Sequence, residues 1–93
     1  TVQTADFTAV ADKGYPVNTT GGAIVVTLPA SASLGHEVSI IDYAGTAATN
    51  NITINRNGHK IQGAASNMTV STNRAAFTLV YIDATQGWLL RDV

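Results

Sequence analysis

The chain has 93 residues and a mass of 9.7 kDa, a size that allows a single domain. Hydrophobic residues make up 45% of it, which argues against a disordered chain, and charged residues only 12%. The formal net charge of −1 excludes the basic surface that nucleic acid or an anionic membrane would require. Cysteine is absent and no apolar run approaches the length of a membrane span, so we expect neither disulfides, cysteine metal sites nor membrane insertion.

Short β-branched segments separated by Gly, Asn and Pro are typical of an all-β domain, and no segment has the charged face of a surface helix. We therefore expect one β-rich domain over residues 1–93. Residues 29–35 are predicted to be a loop and residues 12–14 a turn. In chain order, the predicted strands cover residues 6–10, 15–18, 23–28, 36–43, 51–56, 59–62, 68–71, 75–83 and 88–93.

Two hairpins are predicted from the turns. Asn57-Gly58 favours positive φ at both central positions of a type I′ turn, so it is expected to join strand 51–56 to strand 59–62 as a hairpin. A second hairpin is predicted between residues 75–83 and 88–93.

Several predicted strands are apolar on both faces. Val38 and Ile40 alternate with Ile41 and Tyr43 along one strand, and similar alternation recurs in strands 23–28 and 75–83. Strands of this kind are normally buried on both faces. With no helix to cover the second face, the sheet either folds over as a self-contained sandwich or packs against other copies of the chain. The low charge content favours the second alternative, because interface cores are depleted of charge.

The order of segments resembles a small β-domain of bacteriophage tail fibres, tailspikes and other virion appendages. The matching elements are GAIVVTLPASASLGHEVSIIDYAG, TAATNNITINRNGHKIQG and FTLVYIDATQGWLL, which together span about Phe7 to Leu90. The resemblance implies an all-β module, a short-stranded β-sandwich or β-prism, assembled as an intertwined or side-by-side homotrimer. It further implies a place in the extracellular phage particle, with other virion proteins or a bacterial surface glycan as partners.

The resemblance leaves the role of such a module open. Host-surface attachment and connection of fibre segments are the leading functions, a capsid-decoration protein is an alternative, and a free-standing carbohydrate-binding module is another. The chain begins at Thr1 without Met, so we expect a processed chain or a piece of a longer fibre protein.

No catalytic constellation is apparent. Asp12 and Asp83 lie in turn contexts where Asp caps backbone amides, and Asp42 is expected to form a turn or a buried hydrogen bond. His36 and His59 lack a second His at metal-ligand spacing. The glycines form no phosphate-binding loop. We therefore predict no enzyme activity, no cofactor and no metal.

Candidate receptor contacts are aromatic rings and polar loop tips. Tyr15 and Tyr43 are the candidate rings, whereas Trp88 is expected to pack in the core beneath Phe77 and Tyr81. The second candidate is the polar tip that contains Arg56, Asn57 and His59, which is predicted to protrude and can donate hydrogen bonds. A plain solvated turn is the alternative for this tip.

Overall fold

The computed structural model describes residues 2–91, and this part of the chain is all-β, without a helix. Within these residues, eight strands form two four-stranded sheets that enclose one apolar core, which confirms the all-β prediction and is compatible with a sandwich-like arrangement. The strands are β1 (Phe7–Thr8), β2 (Lys13–Val17), β3 (Ile24–Thr27), β4 (Glu37–Asp42), β5 (Ile52–Asn55), β6 (Met68–Val70), β7 (Ala76–Asp83) and β8 (Gly87–Arg91).

The first five strands alternate between the two sheets. Sheet 1 has the order β1-β3-β5-β6 and sheet 2 the order β2-β4-β7-β8. Strand β3 is parallel to β1 and β5, and β2 is parallel to β4. Parallel neighbours need a crossover connection, which is usually a helix, and here each crossover is a strand of the opposite sheet. The remaining pairs, made by β6, β7 and β8, are antiparallel.

This winding gives the domain two ends. The carboxyl ends of β3 and β5 lie beside the amino end of β4, at an end that we call the Leu28 end. The carboxyl ends of β2 and β4 lie beside the amino ends of β3 and β5, at the Asp42 end. Strand β7 is antiparallel to β4, so the carboxyl end of β7 lies beside the amino end of β4, and the β7–β8 turn is also at the Leu28 end.

The core lies between the sheets and is built by the alternation that the sequence predicts. Val38 and Ile40 point inward from β4, and Ile52 and Ile54 point inward from β5. Trp88 is fully buried, with its ring edge-on to Tyr81 at a centroid distance of 5.4 Å, which confirms its predicted place in the core. The largest fully buried side chains are Trp88, Leu28, Ile40, Ile52, Ile54 and Leu79.

The Asn57-Gly58 turn forms as predicted, but the hairpin predicted around it is wrong. Both residues have positive φ (50° and 88°), and the His59 N–H donates to the Arg56 carbonyl over 3.1 Å. However, β5 is a central strand that pairs with β3 on one side and β6 on the other, which leaves no edge for residues 59–62. The turn therefore redirects the chain instead of closing a ladder.

A tight two-residue turn closes five residues later, at Gln62-Gly63. Their φ values are 54° and 75°, and Ile61 and Ala64 exchange two backbone hydrogen bonds of 3.0 Å. A non-glycine residue at positive φ carries a steric cost, and the sequence offers no standard turn pair here.

The second predicted hairpin is confirmed as β7 and β8. Its closing turn is capped by Asp83, whose Oδ1 accepts from the backbone N–H groups of Thr85 and Gln86. The predicted strand over residues 88–93 is observed from Gly87 to Arg91, and residues 92–93 lie outside the described part of the chain. At the other end of the chain, the turn predicted at residues 12–14 is shorter, because β2 already begins at Lys13.

Candidate functional site

The buried carboxylate of Asp42 organises the Asp42 end. The residue is 1% exposed, and its two oxygens accept four backbone N–H groups. Oδ1 accepts from Gly45 (3.2 Å) and Thr46 (3.3 Å), and Oδ2 accepts from Ala47 (3.0 Å) and Arg74 (2.9 Å). We call this arrangement the Asp42 cap. It joins two loops that are distant in sequence.

The pKa of Asp42 reflects two opposed effects. Burial acts to raise it, whereas the backbone N–H donors of Arg74, Ala47, Thr46 and Gly45 stabilise the ionised form. The net result is a pKa below the ordinary value of 3.8. A carboxylate held ionised with both oxygens occupied serves as a structural acceptor, which agrees with the role predicted for it.

Arg74 reinforces the same end of the domain. Its backbone has a positive φ of 61°, and its Nη1 donates to the Tyr43 carbonyl over 2.7 Å. Gly45 lies beneath this side chain at a φ of 72°, a conformation that favours glycine, and a Cβ there would lie 2.7 Å from Arg74 Nε and displace the arginine side chain. Sequence reasoning assigned no role to Arg74, since its partners lie about thirty residues earlier in the chain.

The polar tip at the Leu28 end is anchored to the loop that follows β3. Asn57 Nδ2 donates to the Leu28 carbonyl (3.0 Å), and His59 Nε2 lies 2.7 Å from the Ala30 carbonyl. Arg56 Nη1 donates to the carbonyl of His59, whose ring stands edge-on to Tyr81 at 5.2 Å. All three candidate side chains are half-buried, so the tip does not protrude as predicted. Their proposed receptor contact stays a prediction.

Two separate motifs of the sequence meet beside this tip. The segment Ile61-Gln62-Gly63 runs along β8 and is held there by three backbone hydrogen bonds of 2.8–2.9 Å. Trp88 N donates to the Lys60 carbonyl, Gln62 N to the Trp88 carbonyl and Gly63 N to the Gln86 carbonyl. At Gly87, where φ is 71°, an added Cβ would overlap the Lys60 carbonyl. Ile61-Gln62-Gly63, which ends the second matching segment of the resemblance, therefore packs directly against Gly87-Trp88 of the third.

The two candidate tyrosines occupy different environments. Tyr15 is half-buried, with its ring 4.8 Å from Phe7 and its hydroxyl accepting from Val10 N. Tyr43 is 51% exposed at the Asp42 end. The structure therefore does not bring the five candidate contact residues together, because Tyr43 and the Arg56–His59 tip lie at opposite ends of the domain.

The outer face of sheet 2 holds a hollow that sequence reasoning missed. Its floor carries small side chains from three strands, Gly14, Ser39 and Thr78, beside Ile41, which is 47% exposed. Residues of β2, β4 and β7 line a space of about 500 Å³. No local signal could reveal it, since it depends on the register of strands far apart in sequence.

The outer face of sheet 1 has a different chemistry. The registers place Thr8, Thr27 and Asn55 in one row across the sheet, and Val25, Thr53 and Thr69 in the next. Five of these six side chains are hydroxyls or an amide, which suit contact with water. The two outer faces of the domain are thus chemically unlike.

Two other carboxylates accept backbone N–H groups that are distant in sequence. Asp12 Oδ1 accepts from Glu37 N, and Asp6 Oδ1 accepts from Val25 N. Within residues 2–91, no three His, Asp or Glu side chains lie close enough together to hold a metal ion. The same part of the chain contains no helix that is both long and apolar enough to cross a membrane.

Comparison with known proteins gave no family: no protein-family model matches the chain, and no curated protein matches it. The assignment of the domain to phage appendages therefore stays a prediction from the resemblance.

Proposed function

We propose that this chain is a non-enzymatic structural and binding module of a bacteriophage particle. Its place is a tail fibre or tailspike, where it works as a homotrimer in host-surface attachment or as a connector between fibre segments. Trimeric assembly multiplies weak contacts, because linked sites raise avidity without strong single contacts.

The observation that carries the proposal is the packing of Ile61-Gln62-Gly63 against Gly87-Trp88. Both elements belong to the pattern on which the resemblance to phage modules rests, and they lie more than twenty residues apart in sequence. The hydrogen bond from Gln62 N to the Trp88 carbonyl, the flanking bonds to Lys60 and Gln86, and the need for glycine at position 87 give the pattern a physical reason. Matching segments that pack against each other support the resemblance to phage modules more strongly than matching segments without contact would.

The disposition of the acidic residues also supports a structural role. Asp6, Asp12, Asp42 and Asp83 each accept backbone N–H groups. Carboxylates used as caps in this way stabilise loops.

The test is the mass of the chain in solution, measured by sedimentation equilibrium at protein concentrations from about 1 µM to 1 mM, a range that covers weak to moderate association. We expect the mass to approach three times the 9.7 kDa of one chain. A mass of one chain throughout this range would contradict the homotrimer.

A carbohydrate-binding module is the second candidate, favoured by the exposed ring of Tyr43 at 51% exposure. Aromatic rings with an exposed face are common sugar platforms. This alternative predicts binding of the monomeric chain on a glycan array and loss of that binding in Tyr43→Ala. Binding that is unchanged in the variant would remove this candidate.

A further inference from the structure

The outer face of sheet 2 carries exposed apolar side chains and a hollow of about 500 Å³. We infer that this face is the surface on which copies of the chain meet, with Ile41 beside the hollow and Tyr43 at the Asp42 end of the face. The inference rests on the proposed oligomeric module and specifies which face builds it.

The registers define what the face contains. Pro16, Ile41 and Ala76 form one row across β2, β4 and β7, and the exposed Tyr43 follows directly after the end of β4. Ile41 and Tyr43 are 47% and 51% exposed, although both are large apolar side chains on or beside a central strand. Water contact at such positions is unfavourable, and burial against another surface removes it.

The hollow and the exposed side chains complement each other. Small side chains at Gly14, Ser39 and Thr78 leave the space of about 500 Å³, and bulky side chains stand beside it. A second copy offers the side chains that fill the hollow, because Ile41 and Tyr43 recur on its own face. Each copy therefore carries both the concave and the convex part of the contact.

The polar groups of the face favour a copy of this chain over a charged partner. Ser39 Oγ and Thr78 Oγ1 are hydrogen-bonded to each other over 3.0 Å. At the corner of the face, Arg91 and Glu37 form an ion pair with an N–O distance of 2.9 Å. Opposite charges paired within one copy add no net charge to the face, so identical faces meet without like-charge repulsion.

The opposite side of the domain gives the contrast. Sheet 1 presents Thr8, Thr27, Thr53, Thr69 and Asn55 on its outer face, together with Val25. Hydroxyl and amide groups are well solvated and gain little from burial. In the assembly, sheet 2 therefore faces the neighbouring copy and sheet 1 faces water.

The size of the face sets the expected strength of the contact. Four strands about 4.8 Å apart and six residues with a rise of about 3.3 Å give a flat area of roughly 400 Å². Stable complexes bury about 800 Å² per partner, so the contact lies at the weak end of specific interfaces. We expect association of the isolated chain in the micromolar range or weaker.

The test compares three variants with the wild-type chain by sedimentation equilibrium over the concentration range given above. Ile41→Glu puts a charge beside the hollow on the central strand β4, and Tyr43→Ala removes a bulky side chain without adding charge. Thr53→Glu is the matched control, because it adds the same side chain to the outer face of a central strand in sheet 1. Far-UV circular dichroism and urea denaturation verify that each variant is folded.

We expect Ile41→Glu to raise the dissociation constant by about 100-fold or more, since it buries an unpaired charge. Tyr43→Ala weakens association less, and Thr53→Glu leaves it within about twofold. If the wild type and all three variants associate alike, this face is not the contact, although the proposed oligomer stands. A wild type that stays monomeric overturns both proposals. Loss of glycan-array binding in Ile41→Glu with an unchanged mass assigns the face to a sugar and overturns the inference.

Discussion

Replacing Asp42 by Asn tests what holds the Asp42 end together. The carboxylate accepts two N–H groups on each oxygen, and the residue is 1% exposed. An Asn side chain replaces one oxygen by an NH₂ group. Whichever oxygen is lost, two backbone N–H groups then face a donor instead of an acceptor; the Ala47 N–H is buried and the other three are partly buried.

The magnitude follows from those two donors. A buried donor without an acceptor costs about 1–3 kcal/mol, so two cost about 2–6 kcal/mol, and the remaining bonds lose their charge assistance. We expect Asp42→Asn to lower the free energy of unfolding by about 4 kcal/mol, a large share of the roughly 5–15 kcal/mol typical of a whole domain.

Urea denaturation at pH 7, followed by Trp88 fluorescence, measures the effect. Asp83→Asn is the matched control, because Asp83 accepts both of its N–H groups on the single atom Oδ1 in an exposed turn. An Asn side chain keeps such an oxygen, so this variant should lose less than about 1 kcal/mol. If Asp42→Asn loses no more than Asp83→Asn, the Asp42 cap does not stabilise the fold as argued.

Two further predictions concern the pH dependence that Asp42 produces and the space around Gly87. Because the pKa of Asp42 in the folded chain lies below its ordinary value of 3.8, its stabilisation is complete above that value and is lost as the pH falls through the folded pKa. Urea midpoints measured from pH 6 to pH 2 should therefore fall less steeply in Asp42→Asn than in the wild type, and parallel curves would contradict this. Gly87→Ala should lower the free energy of unfolding by about 3 kcal/mol or more, since the new Cβ overlaps the Lys60 carbonyl. Gly58→Ala is its control, with a positive φ of 88° but no neighbour within 4 Å, and should lose only about 1–2 kcal/mol by thermal denaturation; equal losses would refute the steric argument.

Local patterns in the sequence predicted which residues share a face of a strand, although they did not predict which of the two faces lies in the core. Val38 and Ile40 point inward while Ile41 and Tyr43 point outward, as alternation requires. The positive φ values at Asn57 and Gly58 likewise follow from residue type. Both properties depend on a residue and its immediate neighbours, which is why they can be read from the chain.

Strand pairing could not be predicted in the same way. The register of β3 with β5 joins segments separated by about thirty residues, and no turn residue specifies it. The Asn57-Gly58 turn has the conformation of a hairpin turn, but β6 occupies the edge of β5 that a hairpin would need. Competition for that edge is a property of the whole sheet.

The candidate site likewise contains one feature that local sequence predicts and others that depend on strand pairing. The role of Asp42 was predictable, because Asp at a strand end followed by a small-residue loop favours capping. The hollow was not predictable, since Gly14, Ser39 and Thr78 meet only through the pairing of three strands. The separation of Tyr43 from His59 likewise depends on which end of the domain each strand reaches.

The alternation of the first five strands between the sheets has a consequence for how the chain reaches its native state. Neither sheet consists of one continuous stretch of sequence, so no half of the chain contains a complete set of pairing partners. Nearly every ladder must close a long loop before its hydrogen bonds form, and non-local pairing of this kind slows folding. We therefore expect a slow-folding chain. Removal of β1 and β2 would take one strand from each sheet, and removal of β7 and β8 would take half of sheet 2, so we expect neither truncation to leave a stable remnant.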